Sequence, residues 1–136
     1  MTEDDIITDQ LSTRWSIDPD WYPQRGRSIS ILLQSCLCES CHKKLDGESS
    51  QTSDSELLKR VRECCSRSAD FITGQMPVRE SIFRFFIASG NEPMTVEELG
   101  KQLSERRDGD ISRTSAEVLL RLLKNDRYYG FHPVAD

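Results

Sequence analysis

The sequence predicts a mainly α-helical protein, with three C-terminal helices and a short β arm following a small, helical, cysteine-bearing module. The pattern Ser/Thr-x-x-Glu occurs three times, at Ser53–Glu56, Thr95–Glu98 and Thr114–Glu117. In each, the hydroxyl can cap a first helical turn while the carboxylate reaches back to the cap. Apolar residues follow every one of these boxes at the spacing of a single helical stripe. Only Tyr128-Tyr129-Gly130-Phe131 is β-prone, and it comes after the last stripe.

Residues 1–27 read as an acidic, irregular arm that carries Trp15, Trp21 and Tyr22, with Pro19 and Pro23 beside them. Two tryptophans are costly to leave in water, so the arm is expected to pack down on its aromatics, with Asp18-Pro19 opening one helical turn. Residues 28–72 form the second part. Ile29, Ile31, Leu32 and Leu33 predict a short, mostly buried helix over 28–37, and the wholly polar stretch 46–55 predicts a mobile loop. Ser53 then starts a helix over 54–66 whose stripe is Leu57, Leu58, Val61, Cys64 and Cys65. In residues 73–136 a helix runs from Pro77 to the stop at Ser89-Gly90-Asn91, with Val78, Ile82, Phe83, Phe86 and Ile87 facing inward. Thr95 begins a second helix around Val96, Leu99 and Leu103, ending before Asp108-Gly109. Thr114 begins a third around Val118, Leu119, Leu122 and Leu123, and the aromatic run makes an extended piece or hairpin arm. These stripes can form a core of three helices on their own.

A length of 136 residues allows one domain or two very small ones. At 36% hydrophobic and 30% charged, the chain is too apolar to be wholly disordered and too polar for a membrane protein. No apolar run comes near the roughly 18 residues of a membrane helix, and Glu3-Asp4-Asp5 is not the basic start of a signal peptide. A cytoplasmic location is therefore expected. The net charge of −5 sits entirely in residues 1–20, where six acids face the single Arg14. The rest is neutral, so a local basic face is allowed but a broadly cationic surface is not. Gly-rich phosphate loops, Gly-x-Ser-x-Gly and His-Glu-x-x-His are missing, and His42 and His132 stand apart, so catalysis is not expected.

The five cysteines occur as Cys36-Leu37-Cys38-Glu39-Ser40-Cys41-His42 and Cys64-Cys65. Without an export signal, disulfides are disfavoured and metal binding leads. Cys38-x-x-Cys41 lets two thiolates of one tight turn face a tetrahedral ion about 2.3 Å away. Cys64 and Cys65 supply the second pair if the polar loop lets the following helix fold back, giving a structural zinc with ligands Cys38, Cys41, Cys64 and Cys65. Neighbouring helical residues point about 100° apart, so both sulfurs reach one ion only near a frayed helix end, and Cys36 or His42 are the substitutes otherwise. Buried core cysteines and an iron–sulfur or redox role are the alternatives. Cys38–His42 is also formally a haem-attachment pattern, but attachment follows export.

Residues 77–133 resemble a winged helix-turn-helix domain. Pro77–Gly90 matches its first helix, Pro93–Leu103 its "proline, threonine, helix" start to the second, Thr114–Leu123 its third, and Asn125–Phe131 its exit into the wing. With the Cys-x-x-Cys module in front, the whole resembles small bacterial proteins that join a zinc knuckle to a winged-helix-like domain. That resemblance implies a DNA-binding transcriptional regulator, with the third helix in the major groove and the cysteine module as scaffold or homodimer contact. The residues available are Arg113, Thr114 and Ser115 at the helix start, for base edges, and Arg121, Lys124 and Arg127, for phosphate. Residues 77–136 carry nine basic and ten acidic groups. The alternative is a protein-interaction adaptor that uses the winged-helix shape without binding DNA and docks through Tyr128, Tyr129 and Phe131.

Overall fold

The computed structural model describes residues 11–47, 53–109 and 112–134. In chain order its elements are β1 (Arg14–Ile17), α1 (Trp21–Gln24), α2 (Ile29–Ser35), α3 (Glu39–Gly47), α4 (Asp54–Glu63), a 3-10 turn (Cys65–Arg67), α5 (Val78–Ala88), β2 (Met94–Thr95), α6 (Val96–Arg106), α7 (Ala116–Lys124) and β3 (Phe131–Val134). The chain is mainly helical with one small antiparallel sheet, a winged-helix-like arrangement with a helical N-terminal region. No helix of the described residues is long and apolar enough to cross a membrane. Of the expected loop 46–55, residues 46–47 end α3, residues 54–55 begin α4, and residues 48–52 lie outside the described residues.

Two of the three caps form at the expected hydroxyls, although the Glu56 carboxylate pairs with Arg60 rather than reaching back to Ser53. The Ser53 hydroxyl accepts from the Glu56 N–H at 3.2 Å, and the Thr95 hydroxyl accepts from the Glu98 N–H at 3.2 Å while donating to the Glu98 carboxylate. The third cap moves by one residue. Ser115, not Thr114, accepts from the Val118 N–H, because Thr114 is taken up in the contact between α6 and the start of α7. There a Cβ placed on Gly100 would lie 2.5 Å from the Thr114 carbonyl oxygen, so only glycine lets the two backbones approach this closely. Thr114 is 3% exposed as a result.

The strand order is β2-β1-β3, so the middle strand comes from the N-terminal arm. Arg14 lies opposite Thr95 on one side and Val134 on the other, and Ile17 lies opposite Phe131. This corrects the irregular arm expected from the sequence. Four residues are too few to show a period of two, and both partners of the strand lie beyond residue 90. Asn91 closes its end, accepting from the Ile17 N–H and donating to the Ile17 carbonyl, both at 2.8 Å. Its φ of 60° is one that asparagine tolerates better than most residues. The extended piece after α7 is β3. Its sheet partner is β1 and not a following hairpin arm, and its edge position accommodates Pro133.

The core gathers Ile82, Phe83, Phe86, Leu99, Leu103, Leu119 and Leu123, none more than 1% exposed. Each contributes about 1.5–3 kcal/mol by leaving water. Phe85, off the expected stripe, is also buried, with the Arg106 guanidinium 4.8 Å from its ring centroid. Trp15, Trp21 and Tyr22 belong to the same core, and the Tyr22 hydroxyl donates to the Tyr129 carbonyl at 2.6 Å. Of the aromatics expected to be exposed for docking, Phe131 is buried and Tyr129 half-buried, stacked on one another with centroids 5.4 Å apart. Only Tyr128 is exposed.

Candidate metal centre

Cys38 sits immediately before α3, where its carbonyl accepts the His42 N–H at 2.9 Å, and Cys41 lies in the first turn of that helix. The Cys-x-x-Cys pair thus brackets a helix N-terminus, whose unpaired N–H groups favour thiolate over thiol. On the other side α4 ends at Glu63. Cys64 leaves the helical conformation at φ −122°, ψ −63°, and Cys65 opens the 3-10 turn. This break at the helix end overcomes the 100° divergence of adjacent helical side chains.

The four sulfurs of Cys38, Cys41, Cys64 and Cys65 lie within 4.8 Å of one another. Cys38 Sγ is 3.4 Å from Cys65 Sγ and 3.9 Å from Cys64 Sγ, and all four thiols are free. Four ligands at about 2.3 Å around a tetrahedral ion would stand about 3.8 Å apart, so the cluster matches that geometry to within a side-chain adjustment. Its donors are all sulfur, which suits a soft or borderline ion, and four protein ligands leave no position for substrate.

The electrostatics of the free thiols point the same way. A hydrogen bond from Ser40 and the backbone N–H of Cys41 bring the Cys38 thiol down to about 6. Its Sγ is 3.3 Å from Ser40 Oγ. Cys64 is pushed up by its hydrogen bonds with the Cys41 and Cys38 sulfurs, and Cys65 is pushed up chiefly by burial. The cluster therefore accepts a first negative charge easily and resists the next, and a divalent cation removes that resistance.

Cys36 and His42, the possible substitutes, lie outside this cluster. Cys36 is 2% exposed, with its thiol pushed up to about 11 by burial, and it behaves as a core residue. The His42 side chain is exposed. The centre is tied to the helical core through α4, which packs on α2 and α5. Arg84 of α5 adds a second tie, donating to the carbonyls of Phe71 at 3.1 Å and Ser35 at 3.0 Å.

On α7, the buried Leu119, Leu120 and Leu123 oppose an exposed stripe of Glu117, Arg121 and Lys124. Arg113 and Arg127 are exposed on either side of the helix, whereas Thr114 is buried and the Ser115 hydroxyl is used as the cap. Nothing in the sequence marks Arg107 as buried, since Arg106-Arg107 reads as an ordinary charged helix end. Comparison of the chain with protein-family models, with curated proteins and with solved structures finds no match.

Proposed function

We propose that the protein is a winged-helix DNA-binding regulator whose cysteine cluster holds a structural zinc ion. Zinc suits the cluster because it binds four thiolates tetrahedrally without redox chemistry, and here it would pin the start of α3 to the end of α4. Elemental analysis of purified protein tests the metal, with about one zinc per chain expected. Stoichiometric iron with visible absorbance would replace zinc by an iron–sulfur or iron centre.

The DNA reading rests on the exposure of Arg121 and Lys124 on the face of α7 opposite its leucines. Arg121, Lys124 and Arg127 would meet phosphates, and Arg113 at the helix start would meet base edges. The neighbouring Glu117 limits the positive field, so affinity for random duplex should be modest. Three phosphate contacts give a log–log salt slope of about −2.7, or roughly a forty-fold loss between 50 and 200 mM salt. Fluorescence anisotropy with random duplex measures this. No binding at 50 mM salt, with or without residues 1–20, would discard the DNA reading. A protein-interaction adaptor is the second reading, favoured by the exposed Tyr128 and Ile31.

A further inference from the structure

We infer that the groove lined by Gly26, Arg27, Ser28, Ile31, Leu32 and Tyr128 docks an extended segment of another protein that carries carboxylates beside an aliphatic side chain. This goes beyond the proposed function and does not depend on DNA binding.

Two separate features meet in the groove. Among the described residues, the exposed large hydrophobics are Ile31, at 69%, and Tyr128, at 50%. They come from distant parts of the chain, yet both line this one depression of about 420 Å³, with Leu32 beside them. Arg27 lines it, and Arg25 shares the Trp21 ring with Arg27. The Arg27 guanidinium lies 4.4 Å from the Tyr128 ring centroid and 5.4 Å from that of Trp21, and Arg25 lies 4.9 Å from Trp21. Arg27 also donates to the Tyr128 carbonyl at 3.2 Å, which fixes its charge at the rim. Among the described residues, no carboxylate lines the groove. Asp126, two residues before Tyr128, is engaged with the N–H groups of Tyr128, Tyr129 and Phe131.

An apolar floor under a cationic rim selects a partner with an aliphatic anchor and acidic flanks. The charges steer encounter, and the anchor supplies the burial. A single-stranded nucleic acid would instead need free aromatic faces for its bases. Here Arg25 and Arg27 lie over the Trp21 ring and Arg27 over that of Tyr128, and aliphatic Ile31 and Leu32 form much of the remaining wall.

The test is selection of a display library of random twelve-residue peptides on the full-length, metal-loaded protein, followed by anisotropy with the enriched peptides, labelled with fluorescein. Enriched sequences should place two or more carboxylates next to Ile, Leu or Val. Their binding should fall at least ten-fold with Ile31→Ser, a change at an exposed position that leaves the core intact, and with Arg27→Glu. It should be unchanged with Arg121→Glu, which in turn should weaken duplex DNA binding that Ile31→Ser leaves alone. Failure to enrich any peptide, or enriched peptides indifferent to Ile31→Ser and Arg27→Glu, would overturn the inference. So would a twelve-residue oligothymidine that binds with the same dependence on those two residues.

Discussion

Replacing Arg107 with Met should destabilise the protein far more than the same change at its neighbour Arg106. Arg107 is 1% exposed. Its Nη1 donates to the Thr73 carbonyl at 3.0 Å, the Met76 carbonyl at 2.6 Å and the Ser81 hydroxyl at 2.8 Å, and Nη2 reaches the Gly74 carbonyl at 3.3 Å. These bonds hold the segment leading from the cysteine module into α5 against the end of α6. A hydrogen bond from a charged donor contributes about 1.5–3 kcal/mol, and an acceptor left buried and unpaired costs about 1–3 kcal/mol. Relief from burying a cation offsets several kcal/mol of that sum. A net loss of about 3 kcal/mol follows, or a fall in Tm of order 10 °C for a chain of this size. Arg107→Lys should recover little, since one ammonium cannot reproduce the planar fork that meets these acceptors. Arg106→Met removes an exposed cation over the Phe85 ring and should cost under about 1 kcal/mol. Urea unfolding followed by far-ultraviolet dichroism and by the fluorescence of the buried Trp15 and Trp21 measures both. If Arg107→Met falls within 0.5 kcal/mol of Arg106→Met, the buried guanidinium is not what joins these segments.

Cys38→Ser or Cys41→Ser should abolish stoichiometric metal and lower the Tm, whereas Cys36→Ser should keep the metal; equal metal loss from all three would mean the ligand set is wrong. Because the thiolates must be deprotonated to bind, acid should release the metal in a cooperative step, followed with a zinc-sensitive dye. A chain beginning at residue 74 lacks β1, the middle of the sheet, along with Trp15, Trp21 and Tyr22. It should show no cooperative thermal transition by calorimetry, and a sharp one would mean the three C-terminal helices are sufficient. Gly100→Ala should destabilise by about 1–2 kcal/mol in urea titration, since the clash with the Thr114 carbonyl outweighs the gain of about 1 kcal/mol in helix propensity. A stabilising Gly100→Ala would show that α6 and α7 can separate at no cost.

Local rules made the helices legible. Each cap is a contact between residues three apart, and each stripe repeats within four, so α4, α5, α6 and α7 could all be read within a window of about a dozen residues. The elements that were missed depend on distant partners. β1 acquires its hydrogen bonds only from β2 and β3, and Asn91 reads as a helix stop until Ile17 is brought beside it. α3 was hidden for a different reason, since it carries Cys41 of the cysteine cluster among polar residues and shows no apolar stripe of its own. The shift of the third cap from Thr114 to Ser115 follows from Gly100. Two capping hydroxyls stood side by side, and only the close approach of another helix decides between them.

The cysteine cluster was legible because its residues fall into two short-range pairs, a spacing that suits metal ligation. Cys38-x-x-Cys41 is a local pattern, and Cys64-Cys65 was the one remaining pair. What the sequence left open was whether adjacent residues could point at one ion, and that depended on where α4 stops. It stops at Glu63, one residue before the pair, which turns Cys64 out to solvent while Cys65 stays in the buried cluster with Leu57 and Val61. Cys36, spaced equally well for a Cys-x-Cys site, is turned into the core by its place at the end of α2. The proposed DNA-facing surface has no comparable constraint. Arg121 and Lys124 are exposed on α7 while Arg113 and Arg127 flank it, and burial of Thr114 and use of Ser115 as a cap leave Arg113 as the remaining candidate for base contact at the helix start. Sequence discrimination by α7 should therefore depend on that single side chain. Arg113→Ala should bring affinity for any selected duplex down to that for random duplex while leaving the salt slope unchanged, whereas Arg121→Ala should lower the slope by about one unit on both. A selected duplex that is still preferred after Arg113→Ala would place base reading outside α7.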